Sequence, residues 1–213
     1  MRRHFLTVFL LILVHILLLM GCAVERGVKQ GNIFYSTARP NITIKVDEKL
    51  TPVDSIELNQ SLSGGDWADT GYWTIYPFIS TTADKYLDKV VLIRFGALRT
   101  AGSRWVKGRG APKVEVDGVS FSFFYGPFYD KALEEMVRKE GYRTDRSYAA
   151  ALWDRIVSDQ LRMHILYLEM LPKLIDNQQW RYRDKWSAEQ KRYMQEVIQR
   201  GQDSFTILNF SAF

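Results

Sequence analysis

Thiols and imidazoles are nearly absent from this chain. Of its 213 residues one is cysteine, Cys22, and three are histidine, of which only His164 lies beyond the first 22 residues. A lone thiol cannot form an internal disulfide, and one histidine with one cysteine cannot build the usual zinc site. The motifs of nucleophilic catalysis are missing too. No Gly-x-Ser-x-Gly elbow and no Ser-x-x-Lys occurs, so a serine triad would have to recruit His164 as its base with no recognisable nucleophile. The sequence holds neither an internal repeat nor a low-complexity tract. With 46% hydrophobic and 25% charged residues it is neither a disordered chain nor collagen, and its length suits one or two ordinary domains.

What the chain does have is unevenly placed. Phe5 to Met20 is an almost unbroken apolar run, interrupted only by Thr7 and His15 and preceded by Arg2 and Arg3. The run is shorter than the about 20 residues a helix needs to cross the hydrocarbon core. Its order, basic then apolar then small, is that of a secretory signal, with an uncleaved short membrane helix as the alternative. The run closes on Leu19-Met20-Gly21-Cys22. This ending resembles the lipobox of bacterial lipoproteins. The resemblance implies that residues 1–21 are cut away, that the Cys22 thiol carries a diacylglyceryl group, and that the new amino group is acylated. Leu19 and Gly21 fill the branched and small positions of the motif, while Met20 is a less usual occupant. Such an anchor is stable because each buried methylene contributes ~0.8 kcal/mol and two chains suffice. In that family an Asp after the cysteine goes with inner-membrane retention. Ala23 stands here, which implies the periplasmic face of the outer membrane.

Removing the signal takes away Arg2 and Arg3 and no acidic residue, so the formal charge falls from +5 to +3. That balance does not point to nucleic acid. The expected partners are the membrane, through Cys22, and an envelope protein or an anionic glycan or lipid. No cofactor and no metal is implied. Residues 22–35 read as the lipidated cysteine and a tether, polar and Gly-containing as far as Asn32, and residues 36–213 as a single globular domain.

Within that domain Ile42 to Val46 alternates apolar and polar, and Tyr72 to Ser80 and Lys89 to Phe95 are aromatic and β-branched, so all three read as strands. Thr51 to Gly71 reads as loop. Lys113-Val114-Glu115-Val116 and Val119 to Phe123 flank Asp117-Gly118, the pair that suits a type I′ hairpin turn. From Pro127 the period lengthens. One helix is predicted from Pro127 to Gly141 and a second, central one from about Asp145 to Leu171, with Leu152, Ile156, Met163, Leu166 and Met170 on one side and Trp153, Val157, Leu161, Ile165 and Leu168 on another. A third opens at the capping box of Ser187 and Gln190 and closes at Gly201, before a last strand from Ser204 to Phe210. The expected fold class is therefore α+β, a single domain. A mainly antiparallel sheet from the N-terminal half is packed by about three helices from the C-terminal half, with the last strand near the C-terminus.

Two patches carry the binding candidates. Between Asp88 and Glu115 there is no acidic residue, while Lys89, Arg94, Arg99, Arg104, Lys107, Arg109 and Lys113 are present with Trp105 among them. Arg99, Arg104, Trp105, Lys107 and Arg109 make a positive field suited to anionic headgroups, acidic glycan or an acidic protein; the alternative is a solvated β connection. In the second patch Trp180, Tyr182 and Trp186 interleave with basic residues. Flat rings beside cations suit sugar faces, membrane interfaces or protein hot spots, against the alternative of helix–helix packing. Function is expected to be non-catalytic: a tethered domain that binds an envelope component, assists assembly or inhibits a partner. The competing expectation is an envelope glycan hydrolase, with Glu134, Glu135, Asp66 and Asp69 as conceivable acid and base.

Overall fold

The computed structural model describes residues 25–64, 67–100, 102–106, 110–128, 137–138, 140–143, 147–172 and 183–212. Strands β1 (Arg26–Lys29), β2 (Ile33–Ser36), β3 (Asn41–Val46) and β12 (Phe205–Ser211) form a four-stranded sheet in that order. A larger, eight-stranded sheet is built from β4 (Thr51–Pro52), β5 (Ile56–Gly64), β6 (Trp67–Thr81), β7 (Leu87–Leu98), β8 (Lys113–Val116), β9 (Val119–Phe128), β10 (Tyr148–Ile156) and β11 (Leu161–Met170). Its order is β4-β6-β7-β11-β10-β9-β8, with β5 also paired to β6, and every pairing in both sheets is antiparallel. One helix of more than a turn, α1 (Ala188–Asp203), precedes β12.

The architecture is thus mostly antiparallel β with a single helix among the described residues, and the expected α+β packing by about three helices is incorrect. The central helix expected from Asp145 to Leu171 is the hairpin of β10 and β11, running from the pair Tyr148 and Met170 to the pair Ile156 and Arg162. Its two apolar stripes fall largely on the two faces of a sheet, with Met163 and Leu168 each on the face opposite to the rest of its stripe. When both faces are buried, alternation disappears and the strand reads as a continuous apolar run, which periodicity cannot tell from a buried helix. Pro127, expected to start a helix, lies in β9 opposite Ala149. Thr51 to Gly71, expected as loop, contributes β4, β5 and the start of β6. The hairpin at Asp117-Gly118 is present as β8 and β9, with both turn residues at positive φ (50° and 77°), as a type I′ turn requires. Ser187 caps α1 through the reciprocal bonds of the capping box, and the helix continues two residues past Gly201.

The inner face of the large sheet carries Tyr76, Phe78, Val91, Ile93, Phe95, Phe121, Trp153, Ile165 and Tyr167. Part of it meets the small sheet, where Phe34 lies 4.8 Å from Tyr76 and 5.6 Å from Phe95 between ring centroids. The rest meets α1 through Tyr193, Met194, Val197 and Gly201. A Cβ at Gly201 would stand 2.9 Å from the Trp153 ring and 3.1 Å from Tyr167, so glycine is what lets the helix backbone reach the sheet. The outer face is apolar as well, with Trp73, Ile75, Val90, Leu92, Leu166 and Leu168 covered by Val137, Tyr142 and Trp105.

Candidate functional site

Strand register assembles a polar row on the outer face that no stretch of sequence displays. Lys113, Ser122, Asp154, His164 and Arg94 stand side by side on β8, β9, β10, β11 and β7. Directly paired residues point to the same side at strand spacings of ~4.8 Å, so these five side chains form one line. The middle of the line is buried: Ser122 is 5% exposed, Asp154 2%, His164 8% and Arg94 8%. Polar groups at that depth need partners. Lys113 Nζ donates to Ser122 Oγ at 2.7 Å. Arg162, one row along, donates to both carboxylate oxygens of Asp154, Nε to Oδ1 at 2.6 Å and a terminal nitrogen to Oδ2 at 2.8 Å. His164 Nε2 approaches Asp154 Oδ1 to 3.1 Å, out of line for a hydrogen bond.

The electrostatics follow from these contacts. Burial alone would raise the Asp154 carboxyl, but the hydrogen bonds from Arg162 and the contact with His164 outweigh it and hold its pKa at about 2. Burial drives the His164 pKa down to about 4; neighbouring Asp154 works against this, while Arg94 and Arg162 reinforce it. At neutral pH the cluster therefore holds one carboxylate, a neutral imidazole and two guanidinium groups.

Aromatic rings take up the excess cation. The Arg94 guanidinium lies 4.8 Å from the Trp73 ring and that of Arg162 lies 5.2 Å from Trp105. Trp73 also stands 4.9 Å from His164 and 5.6 Å from Trp105. Trp105 fastens the loop after β7 to the turn between β10 and β11: its backbone N–H donates to Asp159 O at 2.7 Å and its indole N–H to Gln160 O at 3.1 Å. Pinned there, the loop leaves Arg99 and Arg104 exposed, with Val106 69% exposed beyond them. Arg99 sits 5.7 Å from the Tyr72 ring.

The sequence candidates are thus distributed as follows. Trp105 lies over the buried row with the exposed Arg104 next to it in sequence, Arg99 stands past the end of β7 beside Tyr72 of the inner face, and Lys107 and Arg109 lie outside the described residues. Trp186 is a buried core residue, 5% exposed and edge-on to Tyr125, whereas Trp180 and Tyr182 lie outside the described residues. Cys22, Glu134, Glu135 and Asp66 also lie outside them, as does the side chain of Asp69. His164, expected on a helix, occupies β11, and its link to Asp154 and Arg94 was invisible because it is made by register across three strands.

This arrangement is poorly suited to acid–base or nucleophilic chemistry. Ser122 and His164 are separated by β10, ~10 Å at two strand spacings, with Asp154 rather than His164 in the middle. The other buried carboxylate, Glu169, is on the inner face, bound by Tyr167, Tyr193 and Arg200. Among the described residues no group of three or more His, Cys, Asp or Glu side chains comes together as a metal site would require. A cleft of about 430 Å³ opens where α1 meets the small sheet, but Lys49, Lys89 and Arg200 are matched there by Asp47, Asp88 and Asp203. No protein-family model, curated protein or solved structure matches the chain.

Proposed function

We propose that the protein is a lipid-anchored envelope protein, held through Cys22, whose β domain binds an anionic envelope component without chemical turnover. The observation that carries this reading is the pinned loop, in which Trp105 is fixed on the sheet and Arg99 and Arg104 are offered to solvent. Guanidinium groups carried by a pinned loop recognise phosphate or carboxylate at less entropic cost than those of a free chain would. The anchor rests on Leu19-Met20-Gly21-Cys22, and Ala23 favours the periplasmic face of the outer membrane. Assembly and inhibitor roles belong to the same reading, since each needs only a binding surface. The glycan-hydrolase alternative gains nothing from Asp154 and Glu169, which occupy opposite faces of the sheet and are each locked by an arginine.

Two measurements test the proposal. Cys22→Ser is expected to abolish labelling by a fatty-acid analogue and to release the protein from the lipid fraction; persistent attachment would favour the uncleaved helix. Cross-linking in whole envelopes is expected to lose its main products in the double variant Arg99→Glu, Arg104→Glu. Identical products from both proteins would remove this loop from the binding surface.

A further inference from the structure

The chain enters the fold sooner than its polar start suggests. Arg26 opens β1, so three residues separate it from Cys22. Four Cα steps span at most ~14 Å, less than half the ~50 Å run of the 15-residue β6. Any lipid on Cys22 therefore holds the Arg26 end of the small sheet against the headgroups.

That end is also the end that carries the basic loop. The Arg26 guanidinium lies 4.2 Å from the Phe95 ring, and Phe95 stands three residues before Leu98, where β7 ends and Arg99 begins the loop. Leu98 N–H donates to Gln160 O at 3.0 Å, which brings the turn between β10 and β11 to the same edge. Arg26 also donates to Arg39 O at 2.8 Å, and Arg39 to Ala212 O at 2.8 Å. Arg155 lies 4.7 Å from the Phe210 ring. Arg26, Arg39, Arg99, Arg104 and Arg155 thus gather at one end of the domain, with Glu25, Glu57, Glu115, Asp117 and Asp159 as counter-charges. Asp117 is engaged by the Ile207 N–H at 2.7 Å. At the opposite end the clefts are lined by acids and bases together, Asp47, Glu48 and Lys49 among them.

Resting on the anchor reading, we infer that Arg99, Arg104 and Val106 dock on the anionic phospholipid surface of the membrane that holds the anchor. Arg99 and Arg104 meet phosphate groups, and Val106 enters the boundary between headgroup and acyl chain. The short tether makes this contact intramolecular, so weak individual contacts suffice to fix the orientation of the domain.

The test uses the full acylated protein in vesicles of phosphatidylcholine with or without phosphatidylglycerol. With Cys22 acylated, Val106→Cys provides the sole free thiol for an environment-sensitive fluorophore, and Glu48→Cys provides a control at the opposite end. The label at 106 is expected to shift to the blue and to be quenched by a headgroup-borne quencher when phosphatidylglycerol is present. Arg99→Glu with Arg104→Glu should reduce that quenching severalfold, and the label at 48 should show neither effect. These side chains are exposed, and an unchanged circular dichroism spectrum verifies the fold. Acylated protein whose label at 106 behaves like that at 48, or ignores phosphatidylglycerol, would overturn the docking alone. Protein that mass spectrometry finds without acyl chains would overturn the anchor, and the docking with it.

Discussion

Among the described residues the two faces of the large sheet each hold one buried carboxylate, and they hold it differently. On the inner face Glu169 accepts four hydrogen bonds: Tyr167 at 2.8 Å, Tyr193 at 3.1 Å, and Arg200 at 2.8 and 2.9 Å. Tyr167 comes from β11 and the other donors from α1, so this carboxylate clamps the helix to the sheet. On the outer face the hydrogen bonds to Asp154 come from Arg162 on its neighbour β11, where His164 stands two residues away and 3.1 Å from the carboxylate. The first site closes a tertiary interface, while the second holds cations in place under a loop. Both faces bury their charges among apolar residues, so the difference lies in which elements supply the partners. A clamp between elements has to be broken for the domain to come apart; a clamp between adjacent strands mainly decides what lies above it.

The largest expected effect comes from removing the inner carboxylate. Glu169→Leu removes the shared acceptor of Arg200 and two tyrosine hydroxyls at the helix interface, which costs about 3 kcal/mol. Asp154→Leu should cost less, about 2 kcal/mol, because it releases one arginine of the adjacent strand and breaks no contact between the helix and the sheet. Urea unfolding of both variants checks the order. Equal losses would show that the outer cluster is as much a fold clamp as the inner one.

Acid should separate the faces next. His164 has an ordinary pKa of 6.5 and a folded one of about 4, so the unfolded chain binds more protons in between. Stability therefore falls as pH drops through that window, by at most about 3 kcal/mol. Asp154 is depressed from 3.8 to about 2, so the stability it contributes is present above 3.8 and is lost only as pH falls toward 2. His164→Gln is expected to flatten the stability profile between pH 6.5 and 4 while leaving the loss at lower pH. A profile unchanged by that substitution would move the titration to another group.

These sites were legible in the sequence only in part, and for physical reasons. Turns and caps are local, so Asp117-Gly118 and the Ser187 capping box were readable directly. The strands containing Ile42 to Val46, Tyr72 to Ser80 and Lys89 to Phe95 were readable as well, and so was the closing strand. Tyr148 to Leu171 was not. Ala149, Ala150 and Ala151 favour a helix by composition and are all buried, and the Ser158-Asp159-Gln160 turn is too polar and short to outweigh the apolar runs beside it. Misreading that hairpin hid the outer cluster, because Asp154 meets Arg162 and His164 through an antiparallel register and not through helical spacing. Of the candidate surface, Arg99, Arg104 and Trp105 were visible as an acid-free run. The neighbours that fix Trp105 come from β6, β11 and the turn before β11, far away in sequence.

The smallest effects should come from two glycines that do the same job on opposite faces. A Cβ at Gly201 would lie 2.9 Å from Trp153, whose ring is wedged 5.4 Å from Phe123 and 5.1 Å from Phe205 and has no exposed surface. Nothing there can yield, so Gly201→Ala must lift the helix. Overpacking of this kind costs about 1 to 3 kcal/mol, reduced by the ~1 kcal/mol that alanine gains over glycine in a helix. At Gly96 the added Cβ would meet the Trp73 ring at 2.8 Å, a closer contact. Behind that ring stands Trp105, held by two hydrogen bonds in a loop. Gly96→Ala is therefore expected to push Trp73 and Trp105 outward and to cost within about 1 kcal/mol of global stability, since the neighbour can move. Its signature is local: trypsin should cut after Arg104 faster in Gly96→Ala than in Gly201→Ala, although the latter is the less stable protein. The opposite ranking would mean that the loop is secured by something other than the tryptophan stack.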